Sequence, residues 1–187
     1  VAEVRQGRAR VLMKGTVNTD TLLRAVLNKE CGLLEKGHVL THIAVAEIPG
    51  LQRLLFFTDA AVIPYPTTEQ FHAQLGYIAD TYRSVTGNDC PRVALTHCTE
   101  KVSEKFPLTL SYEELKKEAR EGAFGSIEVD GPMDVKTACD AESGAIKGIA
   151  SPVVGNADIL IFPDIEAGNT FYKAITLFAH ATVAGML

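Results

Sequence analysis

Short apolar runs alternate along the chain with segments in which apolar residues recur every three or four positions. Five runs have the β-branched and apolar composition of strands, and several are apolar on both faces, as strands buried between helices are. The predicted strands are residues 42–46, 53–57, 92–96, 126–129 and 159–162. Strands that alternate with helices in this way indicate an α/β fold with a largely parallel sheet.

Capping patterns mark the ends of two predicted helices. One helix is expected to begin near Thr67, where Gln70 completes a Thr-x-x-Gln capping box, and to end at Gly87. A second helix is predicted from Ser111 to residue 122, because a Ser-x-x-Glu box opens it. Apolar periodicity predicts two further helices, over residues 20–29 and 169–179.

Composition narrows the class of protein. The 187 residues, 47% hydrophobic and 22% charged, are typical of a soluble globular protein with one large or two small domains. A net charge of −5 argues against a nucleic-acid or anionic-membrane partner, and no apolar run is long enough to span a bilayer. The four cysteines and five histidines lack the spacing of a metal site, so we expect reduced thiols, a cytoplasmic location and no metal.

The first segment that could carry chemistry is a glycine turn that leads into a predicted helix. Lys14 and Arg24 flank this turn, so two cations and free helix N–H groups could hold an anion there. A solvated lysine, a routine helix cap and a surface arginine explain the same residues, and spacing alone favours this second interpretation.

A second segment, residues 96–103, directly follows a predicted strand. Ligands bind at the carboxyl ends of strands in open α/β sheets. Thr96 and Lys101 could therefore hold phosphate, and His97 or Glu100 could transfer a proton. Simple solvation of a surface loop is the alternative.

The last polar segments also follow predicted strands. Asp130 precedes a Gly-Pro pair and is expected in a turn. Further on, Asp164 and Glu166 lie in one turn after an apolar strand, with Asn169 expected to cap the next helix. Two acidic residues in an apolar setting are the strongest local indication of a functional site, although they do not indicate which reaction takes place there. The chain contains no Walker loop, no GxGxxG and no GxSxG motif.

Four segments in this order carry a family resemblance: LMKGTVNTDTLLRAVL, FTDAAVIPYPT, VDGPM and SPVVGNADILIFPDIEAGNTFYKAITLFA. The chain resembles the phosphate acetyl/butyryltransferase family over nearly its whole length, and LMKG, DGP and the Glu100-Lys101-Val102 run are similar to its butyryl branch. The resemblance implies a three-layer αβα fold with a largely parallel sheet, similar to isocitrate and isopropylmalate dehydrogenases. Residues 1–48 would then end a first α/β domain, and residues 49–187 would form a second, dimer-forming one.

The resemblance implies reversible acyl transfer between coenzyme A and inorganic phosphate, in which butyryl-CoA and phosphate give butyryl phosphate and CoA. Coenzyme A would be a substrate, the acyl phosphate would form by direct attack in an interdomain cleft without a metal, and the enzyme would be a cytoplasmic homodimer. The family's principal catalytic residues, a Ser-Arg pair and a nearby Asp, would lie beyond Leu187. The chain is therefore expected to be a fragment, and whether it is active alone stays open.

Only supporting residues carry over from the family. The resemblance assigns substrate-binding roles to nine of them: Lys14, Arg24, Thr96, His97, Glu100, Lys101, Asp164, Glu166 and Asn169. Three positions depart from the family pattern, with Ile63 in place of the usual Asn, Lys136 in place of an Asp, and Leu177 in place of an Arg of the acetyl branch. Three alternatives stay open: the acetyl branch, a non-catalytic dimerisation or binding fragment, and an NAD-dependent decarboxylating dehydrogenase.

Overall fold

The computed structural model describes all residues 1–187, which form two compact units, Val1–Leu40 and Thr41–Leu187. This boundary lies ahead of the break predicted at residue 48. The smaller unit contains helices α1 (Ala2–Arg5) and α2 (Thr19–Val26). The side chain of Asn18 caps α2 by accepting a hydrogen bond from the Asp20 N–H.

The larger unit is built on a six-stranded sheet. In chain order its strands are β1 (Ile43–Glu47), β2 (Leu55–Thr58), β3 (Arg92–Thr96), β4 (Glu128–Met133), β5 (Ile159–Ile161) and β6 (Thr182–Met186). They lie side by side in the order β4-β3-β5-β2-β1-β6. The four strands from β4 to β2 are parallel, whereas β1 is antiparallel to both of its neighbours. The sequence predicted five of these strands and missed β6.

Helices cover both faces of this sheet. Their bounds are α3 (Thr68–Thr86), α4 (Leu108–Arg120), α5 (Val135–Cys139), α6 (Ala141–Lys147) and α7 (Ile165–Phe178). Ile159 and Ile161 of β5 pack with apolar residues of α3 and α4, while Leu160 between them packs with residues of α5 and α7. Alternate residues of a strand point to opposite faces, so the sheet separates two apolar cores. The predicted three-layer α/β architecture with a largely parallel sheet is confirmed. None of the seven helices combines the length and the apolar character that a bilayer crossing requires.

Helix α3 begins and ends where the capping pattern predicts. The Thr67 hydroxyl accepts a hydrogen bond from the Gln70 N–H, and the Gln70 side chain accepts one from the Thr67 N–H. Gly87 ends the helix in the left-handed conformation, with φ of 71°. Both signals are local, so the sequence alone was sufficient to find them.

Two predicted helix starts are wrong. Helix α4 begins at Leu108 rather than at Ser111. The backbone oxygens of Phe106 and Pro107 already accept hydrogen bonds from Thr109 and Leu110, so Ser111 lies in the first turn of the helix and not ahead of it. Helix α7 begins at Ile165, and its cap is the Asp164 side chain, which accepts a hydrogen bond from the Ala167 N–H at 2.8 Å. Asn169 therefore lies inside α7 and does not cap it. Asp is itself a preferred N-cap residue and comes earlier in the chain.

Two helical glycines of the larger unit differ in the space around them. A Cβ at Gly168 of α7 would lie 2.0 Å from the backbone oxygen of Asp59, whereas a Cβ at Gly76 of α3 would meet only Phe124 at 3.9 Å. We expect Gly168→Ala to lower the free energy of unfolding by about 1–3 kcal/mol or more through overpacking. Gly76→Ala should raise it by roughly 0.5–1 kcal/mol, because alanine favours the helix. Urea unfolding of both variants measures these changes in the free energy of unfolding. Changes of the same sign in the two variants would contradict the close contact between Gly168 and the Asp59 backbone.

Candidate functional site

The carboxyl ends of the four parallel strands meet at one edge of the sheet, and a cleft of about 590 Å³ opens there. Ligands of open α/β sheets bind at this edge because the loops that follow the strands converge on it. The lining comes from the ends of β3, β4 and β5, from the starts of α4, α5 and α7, and from the loop between β2 and α3: Tyr65, Thr96, His97, Cys98, Leu108, Asp134, Val135, Phe162, Pro163, Asp164 and Ala167. Apolar and polar side chains therefore share the wall.

Thr96, a predicted ligand-binding residue, ends β3 at the base of the cleft. Its buried hydroxyl donates a hydrogen bond to the Ile161 backbone oxygen at 2.8 Å, and its own backbone oxygen accepts one from the Tyr112 hydroxyl at 3.0 Å. The hydroxyl proton is thus used to join β3 to β5. Only the oxygen lone pairs remain for a ligand.

His97 follows Thr96 and is half-buried at the cleft wall. Its backbone N–H donates to Met133 at 2.8 Å, and its ring packs against Phe106 with centroids 5.0 Å apart. Burial lowers the pKa of His97, which favours the neutral imidazole near pH 7. Because Nδ1 accepts a hydrogen bond from the Thr99 N–H at 3.3 Å, the proton of the neutral ring belongs on Nε2. The ring can therefore donate one hydrogen bond from Nε2.

Glu100, the other predicted proton carrier of this loop, forms an ion pair with Lys147 of α6. The same ammonium group contacts Asp134, so one lysine holds two carboxylates at the rim of the cleft. Lys101 is exposed, and its side chain forms no hydrogen bond or ion pair, which leaves its charge available to an anion.

Asp134 was not singled out from the sequence, although it directly follows β4 and lines the cleft. Its side chain caps α5 by accepting a hydrogen bond from the Thr137 N–H at 2.7 Å. Burial by itself raises the pKa of Asp134, but the hydrogen bonds from Lys147 and Thr137 outweigh it and lower the pKa to about 2. The rule that strand ends line the ligand site would have found this residue once β4 was extended to Met133.

The residues of the acidic turn, which the sequence marks as the strongest candidate for a functional site, have two different positions in the structure. Asp164 lines the cleft and caps α7. Glu166 accepts a hydrogen bond from the Tyr65 hydroxyl at 2.6 Å, which raises the pKa of Tyr65 and lowers that of Glu166. Asn169 donates its side-chain N–H to the backbone oxygen of Ala60 at 2.9 Å. Glu166 and Asn169 thus contact the loop after β2, and neither is among the lining residues.

Tyr65 and Cys98 line the cleft and were also missed by sequence reasoning. The Cys98 sulfur is exposed and lies 3.6 Å from Nδ1 of His97. All four cysteines are free, and nowhere in the chain do three His, Cys, Asp or Glu side chains come together as metal ligands would.

Lys14 and Arg24, the predicted anion-binding cations, both lie in the smaller unit and are exposed. The Lys14 ammonium contacts only the neighbouring Gly15 oxygen, at 3.4 Å. Arg24 lies in the last turn of α2, where a cation also favours the helix dipole, and not at the helix N-terminus. Their role toward an anion stays a prediction.

Comparisons with known proteins give consistent results. A family model described as phosphate acetyl/butaryl transferase matches residues 1–187. A phosphate butyryltransferase of Clostridium beijerinckii is 40% identical over 186 residues, which are 98% of this chain and 60% of that protein. A phosphate acetyltransferase of Rhizobium meliloti is 37% identical over 187 residues, 100% of this chain and 58% of that protein.

A solved structure is similar as well. The crystal structure of a branched-chain phosphotransacylase from Enterococcus faecalis matches with a TM-score of 0.86 and 32% identity, over 98% of this chain and 65% of that one. The chain therefore spans about three fifths of the curated relatives it matches.

The low pKa of Asp134 predicts a pH dependence of stability. Asn at this position keeps a capping oxygen but loses the ion pair with Lys147. Because the folded pKa is depressed, the stabilisation is fully present above the unfolded value of about 3.9 and is lost as the pH falls to about 2. We expect Asp134→Asn to unfold more easily than the unsubstituted chain at neutral pH, and the difference to shrink between about pH 4 and pH 2.

Urea unfolding at several pH values measures this difference. Asp89→Asn is the control, since the Asp89 side chain is exposed and accepts no hydrogen bond. A difference for Asp134→Asn that stays constant down to pH 2 would show that its charge does not stabilise the fold.

Proposed function

The chain belongs to the phosphate acetyl/butaryl transferase family, and from this premise we propose that the whole protein transfers an acyl group reversibly between coenzyme A and inorganic phosphate. The observation that carries the proposal is the match of the family model over residues 1–187, together with relatives of that activity at 37–40% identity. Acyl-CoA, acyl phosphate and phosphate are the proposed substrates.

We further propose that butyryl-CoA is the preferred substrate. The LMKG and DGP motifs and the Glu100-Lys101-Val102 run support the butyryl branch, as does Leu177 in place of an Arg. The relatives include both butyryl and acetyl transferases at similar identity, so the acetyl branch is the second candidate. One methylene in an apolar pocket changes binding by only about 1 kcal/mol, so overlapping preferences are expected.

The chemistry requires donors and cations more than it requires a nucleophilic side chain. In the direction that forms the acyl phosphate, a phosphate oxygen attacks the thioester carbonyl carbon, the C–S bond breaks, and the CoA thiolate leaves and takes up a proton. The carbonyl oxygen gains charge as the bond forms, so nearby hydrogen-bond donors lower the barrier. Holding both substrates together supplies much of the rest.

The cleft of the larger unit has groups suited to this task. Nε2 of neutral His97 can donate to an oxygen that gains charge. The free ammonium of Lys101 can attract phosphate from the loop that follows β3, although Lys101 is not one of the lining residues. Leu108, Val135 and Phe162 offer an apolar surface to a short acyl chain. Within the same proposal, Lys14 and Arg24 of the smaller unit are further candidates for holding an anion.

The proposal also includes an assembly. The whole protein is proposed to contain two α/β domains, with Thr41–Leu187 in the second of them, and this second domain is proposed to form a homodimer. Analytical ultracentrifugation of the full-length protein tests the dimer.

The first experiment is phosphate-dependent release of CoA thiol from butyryl-CoA and from acetyl-CoA, with the full-length protein and with residues 1–187. We expect release by the full-length protein with a higher kcat/KM for butyryl-CoA. A higher kcat/KM for acetyl-CoA would assign the protein to the acetyl branch. No release from either substrate, with thermal stabilisation by NAD and a divalent metal, would replace the proposal with a dehydrogenase-like function.

A substitution at His97 tests the role of the cleft. We expect His97→Ala in the full-length protein to lower kcat/KM by roughly tenfold to hundredfold, because one donor to the developing charge is lost. His72→Ala is the matched control, since His72 lies on α3 and pairs with Glu118 outside the cleft. Equal activity of the two variants would exclude His97 from the reaction.

A further inference from the structure

The loop between β2 and α3 forms one wall of the cleft through Tyr65, and it begins at a buried carboxylate. Asp59 directly follows β2 and is 2% exposed. It is not among the residues that line the cleft. Burying a carboxylate is costly unless hydrogen bonds replace its water, so its contacts require an explanation.

Five donors satisfy the Asp59 carboxylate. Oδ1 accepts hydrogen bonds from the backbone N–H groups of Ala61 and Val62, at 2.7 and 2.9 Å. Oδ2 accepts from the Thr41 hydroxyl at 2.8 Å and from two further N–H groups, of His42 at 3.1 Å and Ile63 at 3.2 Å. Asp59 forms no ion pair. Three of the five donors belong to the loop itself, so the carboxylate determines the path of residues 61–63.

The same loop is attached to the start of α7 at four points. The Asp59 backbone approaches Gly168 so closely that no side chain fits there. The Ala60 oxygen accepts from Asn169 at 2.9 Å, and the Pro64 oxygen accepts from the Ile165 N–H at 3.0 Å. The fourth contact is the hydrogen bond from Tyr65 to Glu166. The loop and the start of α7 therefore form one connected wall.

We propose that Asp59 is a positioning residue, which holds the 59–65 loop so that Tyr65 and the N-terminus of α7 are placed correctly at the cleft. Its influence on acyl transfer rests on the function proposed above, whereas its influence on the geometry does not. The interaction uses the backbone N–H of Ile63 and not its side chain.

Asp158 provides a matched control. It is also 2% exposed, but it precedes β5 at the opposite edge of the sheet and accepts two hydrogen bonds from the Arg92 guanidinium, at 2.8 and 2.9 Å. An Asn side chain has one acceptor oxygen where Asp has two. At either position the substitution therefore leaves buried donors without an acceptor and lowers the free energy of unfolding. Only the change at Asp59 should alter the cleft.

The first test uses residues 1–187 and needs no activity. In Asp59→Asn we expect amide hydrogen exchange of residues 61–63 to accelerate at least about tenfold relative to the strands, because local opening becomes easier. The pKa of Tyr65, followed by NMR of labelled tyrosines, should return toward its ordinary value as the contact with Glu166 weakens. Asp158→Asn should leave both readouts unchanged. Unchanged readouts in Asp59→Asn, or equal changes in both variants, would overturn the proposal.

A milder variant covers the case in which Asp59→Asn does not fold. Thr41→Val removes one of the five donors and keeps the side-chain shape. It should produce the same two changes with smaller size, and their absence would count against Asp59 as the anchor.

The second test uses the full-length enzyme. We expect Asp59→Asn to lower kcat/KM for acyl-CoA by roughly tenfold to hundredfold, because a small displacement of a wall misplaces the substrates. Asp158→Asn should stay close to the unsubstituted enzyme. If the first test succeeds and the unsubstituted enzyme transfers no acyl group, the proposed function fails and the positioning role stands.

Discussion

The pairing of β5 between β2 and β3 is the constraint on which the rest of the larger unit depends. This strand has only three residues, all fully buried, and it is hydrogen-bonded to a parallel neighbour on each side. Ile159 and Ile161 contribute to one apolar core and Leu160 to the other. Both helical layers are therefore held in register by the same short strand, whose end leads directly into the cleft and α7.

The parallel arrangement has an electrostatic consequence at the edge where the strands end. Carboxylates follow β2, β4 and the Phe162-Pro163 turn after β5, and each is satisfied differently. Asp59 is held by backbone N–H groups and a hydroxyl, Asp134 by Lys147 and a helix N-terminus, and Asp164 by the N-terminus of α7. Because every one of these carboxylates has donors of its own, none of them needs a ligand to be satisfied. The ring of His97, whose pKa is lowered by burial, remains at the cleft wall for a ligand.

The residues near the cleft divide into those that can contact a substrate and those that hold the wall. His97 and Asp164 line it, whereas Glu166 and Asn169 brace the loop that carries Tyr65. In the chain these residues look alike, since all are polar and follow an apolar strand. Their different roles arise from contacts with residues about a hundred positions away, as Asn169 with Ala60 shows.

The sequence by itself determined the features whose causes are local. These are the capping box at Thr67, the glycine stop at Gly87, the five apolar strands and the family motifs, because each depends on neighbours within a few residues or on an uninterrupted pattern. Strand β6 was missed because Thr182–Met186 is short and contains Ala184 and Gly185, residue types that disfavour strands. Only the tertiary structure decided that Asp164 rather than Asn169 caps α7, that Lys147 neutralises Glu100, and that Asp59 anchors the cleft wall. Those outcomes depend on which segments the sheet brings together, and local propensity carries no information about partners far away in the chain.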